Sequence, residues 1–324
     1  MNTKEERPNI LKRFLALRES GVIIPVLLFT VVVAFINPTF ITKANVINNI
    51  LRSSSFSLIT ALGMTFVMIG GGIDLSVGSI MGLGGVVTGI SIQANIPIPV
   101  SILLGILVGV IFGLINGLAI VKFNLAPIMM TLGMQYVARG IIYIVTQGAP
   151  VYPLPAEFQS IEQNSVLGMP TVCWFALLLA VLMLFIQTQT RFGRATYAIG
   201  GNPESARLSG INVGITKCVI YSMTGAFAAL AGIFMASRLG SAQAGYGQGS
   251  EMMIIAAVVI GGTSTFGGSG TILGTIIGVL FTNILSNSMT LLKISMYWQT
   301  LVIGLILILA VLLDGYKRKK STAM

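Results

Sequence analysis

Three charged residues stand in apolar stretches where charge is costly: Asp74, Arg139 and Glu251. Asp74 sits in the run Gly70-Gly71-Gly72-Ile73-Asp74-Leu75-Ser76-Val77-Gly78. Consecutive glycines break or unwind a helix, and irregular backbone at membrane depth is tolerated only when buried in protein or lining a cavity. A carboxylate there can contact a substrate or ion, pair with another helix or act as a gate. The plainer role is local: Asp74, followed by Ser76, can cap the next helix, accepting from free N–H groups at the positive end of its dipole. Arg139, inside LGMQYVARGIIYIV, either snorkels or pairs internally. Glu251 opens an apolar segment after AGYGQGS and either lines the entrance of a pathway or caps a helix.

Several chemistries are excluded. With no histidine in the chain, the commonest general base, the Ser-His triad and His-ligated metals are absent. Cys173 and Cys218 both lie in apolar runs, offer neither metal spacing nor a disulfide framework, and read as small core hydrophobes. No G-x-x-x-x-G-K-[ST] occurs, so if ATP drives this protein, ATP and Mg must sit on another chain. No catalytic, cofactor-binding or metal-binding residues are expected.

The longest polar interruption is RFGRATYAIGGNPESARLSGINVGITK, Arg191 to Lys217. Within it Asn202 is a good N-cap, Pro203 suits the first helical position, Glu204 suits the positive end, and Gly210 is a natural stop. The result is a short helix with small residues on show. Without a core of its own it is marginal in water and needs support from the bundle or a partner.

These features are carried by a chain of 324 residues, 55% hydrophobic and 9% charged. Soluble domains carry roughly a quarter charged residues. The fold class is therefore all-α, a polytopic membrane helix bundle of about ten spans with broken helices. Ten apolar segments fall at about 21–37, 53–70, 77–95, 99–121, 125–146, 168–187, 218–237, 251–267, 270–290 and 295–313. The expected organisation is an N-terminal interfacial segment over 1–20, with an amphipathic helix at Ile10 to Ser20, one membrane domain over 21–314 and a basic tail over 315–324. Fourteen of the 19 Lys and Arg fall on the side holding both termini and the 191–217 loop, which makes that side cytoplasmic. The net charge of +10 is thus a topology signal, with no basic and aromatic interleaving to suggest nucleic acid. Trp174, Tyr297 and Trp298 fall near outer ends, and Lys43, Arg52, Arg238 and Lys293 are the outer exceptions to the charge rule.

Gly105, Gly109, Gly113 and Gly117 recur every fourth residue, as do Gly270, Gly274 and Gly278. Such stripes let backbones approach closely, either within one bundle or at a seam between protomers. GGIDLSVGSIMG at 71–82 and GGTSTFGGSGTILG at 261–274 resemble each other and hint at an internal duplication.

GMTFVMIGGGIDLSVGSIMG at 63–82, TRFGRATYAIGGNPESARLSGINV at 190–213 and AAVVIGGTSTFGGSGTILGTIIG at 256–278 give the chain its resemblance. It resembles the permease subunits of bacterial sugar ABC importers, the ribose/galactose/arabinose/autoinducer-2 type, from about residue 40 to 313. The resemblance implies one half of a membrane dimer, homodimer or heterodimer. It implies a cytoplasmic ATPase receiving the coupling loop (188–217) and a periplasmic or lipid-anchored sugar-binding protein on the outer face. Gly201, Asn202, Ala206, Arg207, Gly210 and Ile211 match the coupling motif, with Glu204 as a further coupling candidate; Asp74, Ser76, Gly78 and Ser79 match the pathway-side motif, with Arg139 and Glu251 as further path or gate candidates. Met253 stands where members resembling the ribose permease often carry an acid, so assigning ribose goes beyond the residues. The expected function is translocation of a monosaccharide across the bacterial inner membrane by alternating access. The alternative is an ion-coupled secondary transporter or channel, with Asp74, Arg139 and Glu251 as its relay.

Overall fold

In hydrocarbon every backbone N–H and C=O must find a partner within the protein, so long apolar segments fold as helices. The computed structural model describes residues 20–322, and the interfacial segment expected over Ile10 to Ser20 lies, but for its last residue, outside them. The helices are α1 (Ser20–Ile36), α2 (Arg52–Ile69), α3 (Val77–Gln93), α4 (Ile98–Lys122), α5 (Pro127–Thr146), α6 (Ala156–Gln163) and α7 (Thr171–Gln189). They continue with α8 (Arg191–Gly201), α9 (Pro203–Leu208), α10 (Val213–Leu239), α11 (Ser250–Ile260), α12 (Ile272–Leu291) and α13 (Met296–Thr322). A wide π-type turn over Asn45–Leu51 runs directly into α2, and a two-stranded hairpin pairs β1 (Ser165–Val166) with β2 (Met169–Pro170). The hairpin and α6 cover one end of the bundle, here the upper end. The other, lower end carries α8 and α9.

Among the described residues six helices are long and apolar enough to cross a membrane: Asn45–Ile69, α4, α5, α7, α10 and α12. Four apolar helices are shorter: Leu27–Ile36, α3, α11 and Met296–Leu312. Together they occupy the ten expected segments, with one correction. The segment expected as a span over 251–267 is helical only over Ser250–Ile260, an eleven-residue helix. At about 1.5 Å per residue it reaches roughly halfway through a bilayer core. Chain 240–249 covers the other half as irregular backbone descending beside α3, where Gly247 abuts Gly78.

Glycine sets the packing. A Cβ on Gly109, Gly113 or Gly117 would strike backbone of α10 at Gly225, Tyr221 or Cys218, and one on Gly105 would strike Thr88 and Gly84 of α3. The Gly274 and Gly278 faces likewise close on Gly261 and Ala257. Both stripes therefore pack this chain internally. α10 is the central helix, packed against α4, α3 and α2, around a core that includes Ile59, Leu62, Phe66, Tyr221 and Ala228. Cys173 is buried in that core, as expected, whereas Cys218 is only half-buried and outside it; both are free thiols.

Candidate translocation and docking sites

The short helix α9 has the expected ends. Asn202 Oδ1 accepts from the N–H groups of Glu204 and Ser205, each at 3.0 Å, and Pro203 occupies the first position. At the other end Gly210 takes φ +83°, its N–H donates to Arg207 O at 3.0 Å, and the Ile211 N–H donates to Ala206 O at 3.1 Å. That pair of bonds is a Schellman closure, and it needs glycine at the left-handed position. Ala206 is buried against the bundle, so not all the small residues are on show. Leu208, 82% exposed, and the Glu204–Arg207 pair, 3.6 Å apart and solvated, form the outward surface.

The polar interruption holds a further helix that cap signals alone did not reveal. α8 starts with Thr190 Oγ1 accepting from the Gly193 N–H at 3.1 Å and ends at Gly201, directly before the α9 cap. Its signal was present: Phe192, Thr196 and Ile199 recur on one helical face. That face is turned to the bundle, with Phe192 stacked on Phe66 at 5.9 Å.

Between α2 and α3 the glycines end one helix and delay the next. Asp74 is fully buried there. Its Oδ1 accepts from the Ser76 N–H at 2.9 Å and from Ser76 Oγ at 2.5 Å. Asn116 Nδ2 on α4 donates to Ser76 Oγ at 2.9 Å, and Thr131 Oγ1 on α5 accepts from the Leu75 N–H at 3.1 Å. The cap reading is corrected in detail: Asp74 holds the N-cap residue Ser76 rather than the first-turn N–H groups of α3. Asp74 Oδ2, Asn116 Oδ1, Ser79 Oγ and the Tyr221 hydroxyl are buried without a hydrogen-bond partner among the described residues. Four polar atoms in this state thus lack compensation for the water they left, a cost an apolar packing would not carry.

Above the break, Arg139 does not snorkel. It donates to the carbonyls of Ala244, of Tyr246 at 3.0 Å and of Gly78 at 3.2 Å, clamping the 240–249 segment to the first turn of α3. Glu251 is no helix cap either: α11 is capped at Gly249, and Glu251 Oε1 accepts across to α5 from Gln135 Nε2 at 3.0 Å. Glu251 is buried against Gly78, where a Cβ would collide with Oε2, so in this conformation it closes α3 against α11 rather than lining an open mouth.

Two anchoring acids escaped sequence reasoning. Asp314 Oδ2 of α13 accepts from the Thr265 N–H at 3.0 Å and from the hydroxyls of Ser264 and Thr265 at 3.1 Å, fixing the second glycine break. Glu162, fully buried, takes both Nε (2.6 Å) and Nη2 (2.7 Å) of Arg52. Arg238 lies over the Phe56 ring at 5.7 Å. Two of the four cations exceptional to the charge rule are thus engaged at the upper end, a pairing between residues 110 apart that no local pattern signals.

Broken membrane helices, an upper end tied by the Arg52–Glu162 pair and a capped short helix at the lower end define a multi-pass membrane helix bundle. The chain belongs to the family described as "Branched-chain amino acid transport system / permease component", whose model matches residues 46–311. It is 41% identical over 307 residues to the ribose import permease protein RbsC of Bacillus subtilis, covering 94% of each chain. It is 38% identical over 306 residues to the ribose import permease protein RbsC of Escherichia coli K12, covering 93% of this chain and 95% of that one. The galactose/methyl galactoside import permease protein MglC of Escherichia coli K12 is 36% identical over 331 residues, covering 95% of this chain and 98% of that one. No solved structure matches the chain. The protein is a transport subunit rather than an enzyme.

Proposed function

We propose that this chain is the permease of an ATP-binding-cassette importer that carries a ribose- or galactose-like monosaccharide across the bacterial inner membrane. The observation that carries this reading is similarity over more than nine-tenths of the chain to permeases named for ribose and galactose import. α9 is the coupling helix, presenting Gly201, Asn202, Glu204, Arg207, Leu208 and Gly210 to a cytoplasmic ATPase that binds ATP and Mg. Both termini then lie in the cytoplasm, a second permease subunit completes the membrane unit within lipid, and a soluble or lipid-anchored sugar-binding protein docks on the upper end. The exposed Trp174, Tyr297 and Trp298 at helix starts of the upper end are consistent with that orientation.

The path runs along the breaks. Asp74, Ser76, Gly78, Ser79, Arg139 and Glu251 form its gate, closed in this state by the Arg139 carbonyl clamp and the Gln135–Glu251 bond. Alternating access opens that gate in one state and the α9 end in the other.

Proteoliposomes containing this chain, its ATPase and its binding protein test the reading, with labelled ribose and galactose offered outside. ATP-dependent accumulation of one sugar is the expected result. Uptake that persists without the ATPase and follows an imposed ion gradient would replace it with the ion-coupled mechanism.

A further inference from the structure

The two glycine breaks meet each other, and they meet at α8. The Gly268 N–H of the second break donates to Ile69 O, the last carbonyl of α2, at 2.8 Å. Gly200, next to the end of α8, lies on this bond. A Cβ there would overlap Ile69 O and stand 2.5 Å from Gly268 N. Gly267 has the same constraint from the other side: φ +90°, with an added Cβ 2.8 Å from Gly200 O and 2.9 Å from Gly71 Cα. A Cβ on Gly268 would stand 3.1 Å from Gly201 Cα. One turn back on α8, the Tyr197 hydroxyl donates to Gly270 O at 2.6 Å.

Three segments distant in sequence therefore touch backbone to backbone. Side chains can absorb a shift by changing rotamer, but backbone in direct contact cannot, because close-packed interiors transmit displacement. Each partner in the junction leads to the gate. The first break carries Asp74 and Ser76 into α3, and the second follows α11, whose first turn holds Glu251. Asn202, two residues beyond Gly200, caps α9.

We propose that Gly200 is a positioning residue that hands displacement of α9 to both broken helices at once, through the Ile69–Gly268 backbone bond and the Tyr197–Gly270 bond. The proposal rests on the docking reading of α9. A shift of α8 must move Ile69 and Gly268 together or part them, so ATP-driven motion at the lower end and the geometry of the gate above the junction become a single equilibrium.

The test uses the complete transporter in proteoliposomes and reads ATPase retention on pull-down, ATP hydrolysis, sugar uptake and the ratio of the last two. Gly200→Ala is expected to retain the ATPase and its hydrolysis while uptake falls, raising ATP consumed per sugar about tenfold. Tyr197→Phe, which adds no bulk, raises the ratio in the same direction by about threefold. Gly304→Ala on α13, where no neighbouring atom lies within 4 Å of an added Cβ, is the control for glycine replacement and leaves the ratio unchanged. A merely structural role would lower protein yield and both activities in parallel, leaving the ratio fixed. That result, or a wild-type ratio in Gly200→Ala, overturns the proposal. If Gly200→Ala does not insert, Tyr197→Phe decides alone, and an unchanged ratio there is equally fatal. A wild-type chain that retains no ATPase overturns the docking reading itself and this proposal with it. Retention beside an unchanged Gly200→Ala ratio overturns the proposal only.

Discussion

Asn116 of α4 donates to the hydroxyl of Ser76 at 2.9 Å, and that hydroxyl in turn donates to Asp74 Oδ1 at 2.5 Å. A relay of three side chains on two elements thereby holds the start of α3. Asp74 uses one oxygen for it, so an amide oxygen at the same place can do the same work. Asp74→Asn is expected to insert and fold normally. Asp74→Ala leaves the Ser76 N–H and hydroxyl buried without their acceptor and is expected to cost about 1–3 kcal/mol. Thermal unfolding of detergent-solubilised protein compares the two; equal melting temperatures would remove the relay as a structural element.

The Arg139 clamp predicts a local consequence. Arg139→Met keeps the hydrophobic bulk and removes all three carbonyl bonds to Gly78, Ala244 and Tyr246. Charged hydrogen bonds of this kind are worth enough that amides of 240–250 should exchange about tenfold faster or more. Mass-spectrometric hydrogen exchange on that peptide checks it, and wild-type protection there would show that the segment is held by something else.

At α9 the ends matter more than the middle. Asn202→Ala removes two cap bonds and Asn202→Asp keeps them, so the first should destabilise the helix by about 1 kcal/mol and the second hardly at all. Gly210→Ala forces a side chain to φ +83°, at about 1–2 kcal/mol. ATPase retention and sugar uptake should fall together in Asn202→Ala and Gly210→Ala and survive in Asn202→Asp. Loss in all three variants would point to side-chain identity rather than helix capping.

The Arg52–Glu162 pair is the buried ion pair of the described residues, with Glu162 wholly enclosed and Arg52 largely so. Breaking one side strands a buried charge. Glu162→Ala should cost about 3–5 kcal/mol, whereas Arg52→Met with Glu162→Met should recover most of that loss. Melting temperatures of the single and double variants decide, and a double variant no better than the single would contradict the stranded-charge account.

Gly113 tests the α4–α10 contact. An alanine Cβ would lie 2.7 Å from Tyr221 C and 2.8 Å from Ser222 Cα, with no rotamer to relieve it. Gly113→Ala should destabilise by about 1–3 kcal/mol. Gly133→Ala on α5, with no neighbouring atom within 4 Å, should be neutral by the same melting assay.

Composition and periodicity carried the class of protein, because a lipid solvent leaves helices as the main way to satisfy a long apolar backbone. The α9 ends were legible as well: capping chemistry is local, and Asn202, Pro203 and Gly210 each need only their near neighbours. The end of α11 was legible too, since Gly261, Gly262, Thr263 and Ser264 break the apolar run directly after Ile260, although the expected span ran past them to 267. α8 was hidden by its polar composition, although Phe192, Thr196 and Ile199 marked its inner face. The destinations of the charges were illegible for a different reason. Glu162 finds Arg52, Arg139 finds backbone carbonyls, and Asp314 finds Thr265, partners set by tertiary approach rather than by spacing. The residues determined by themselves which segments are helical and apolar and where glycine lets backbones come close. Only the folded chain decided which glycines face which, and so brought Ile69, Gly200 and Gly268 to one point: close approach permits a contact, but three-dimensional packing selects it.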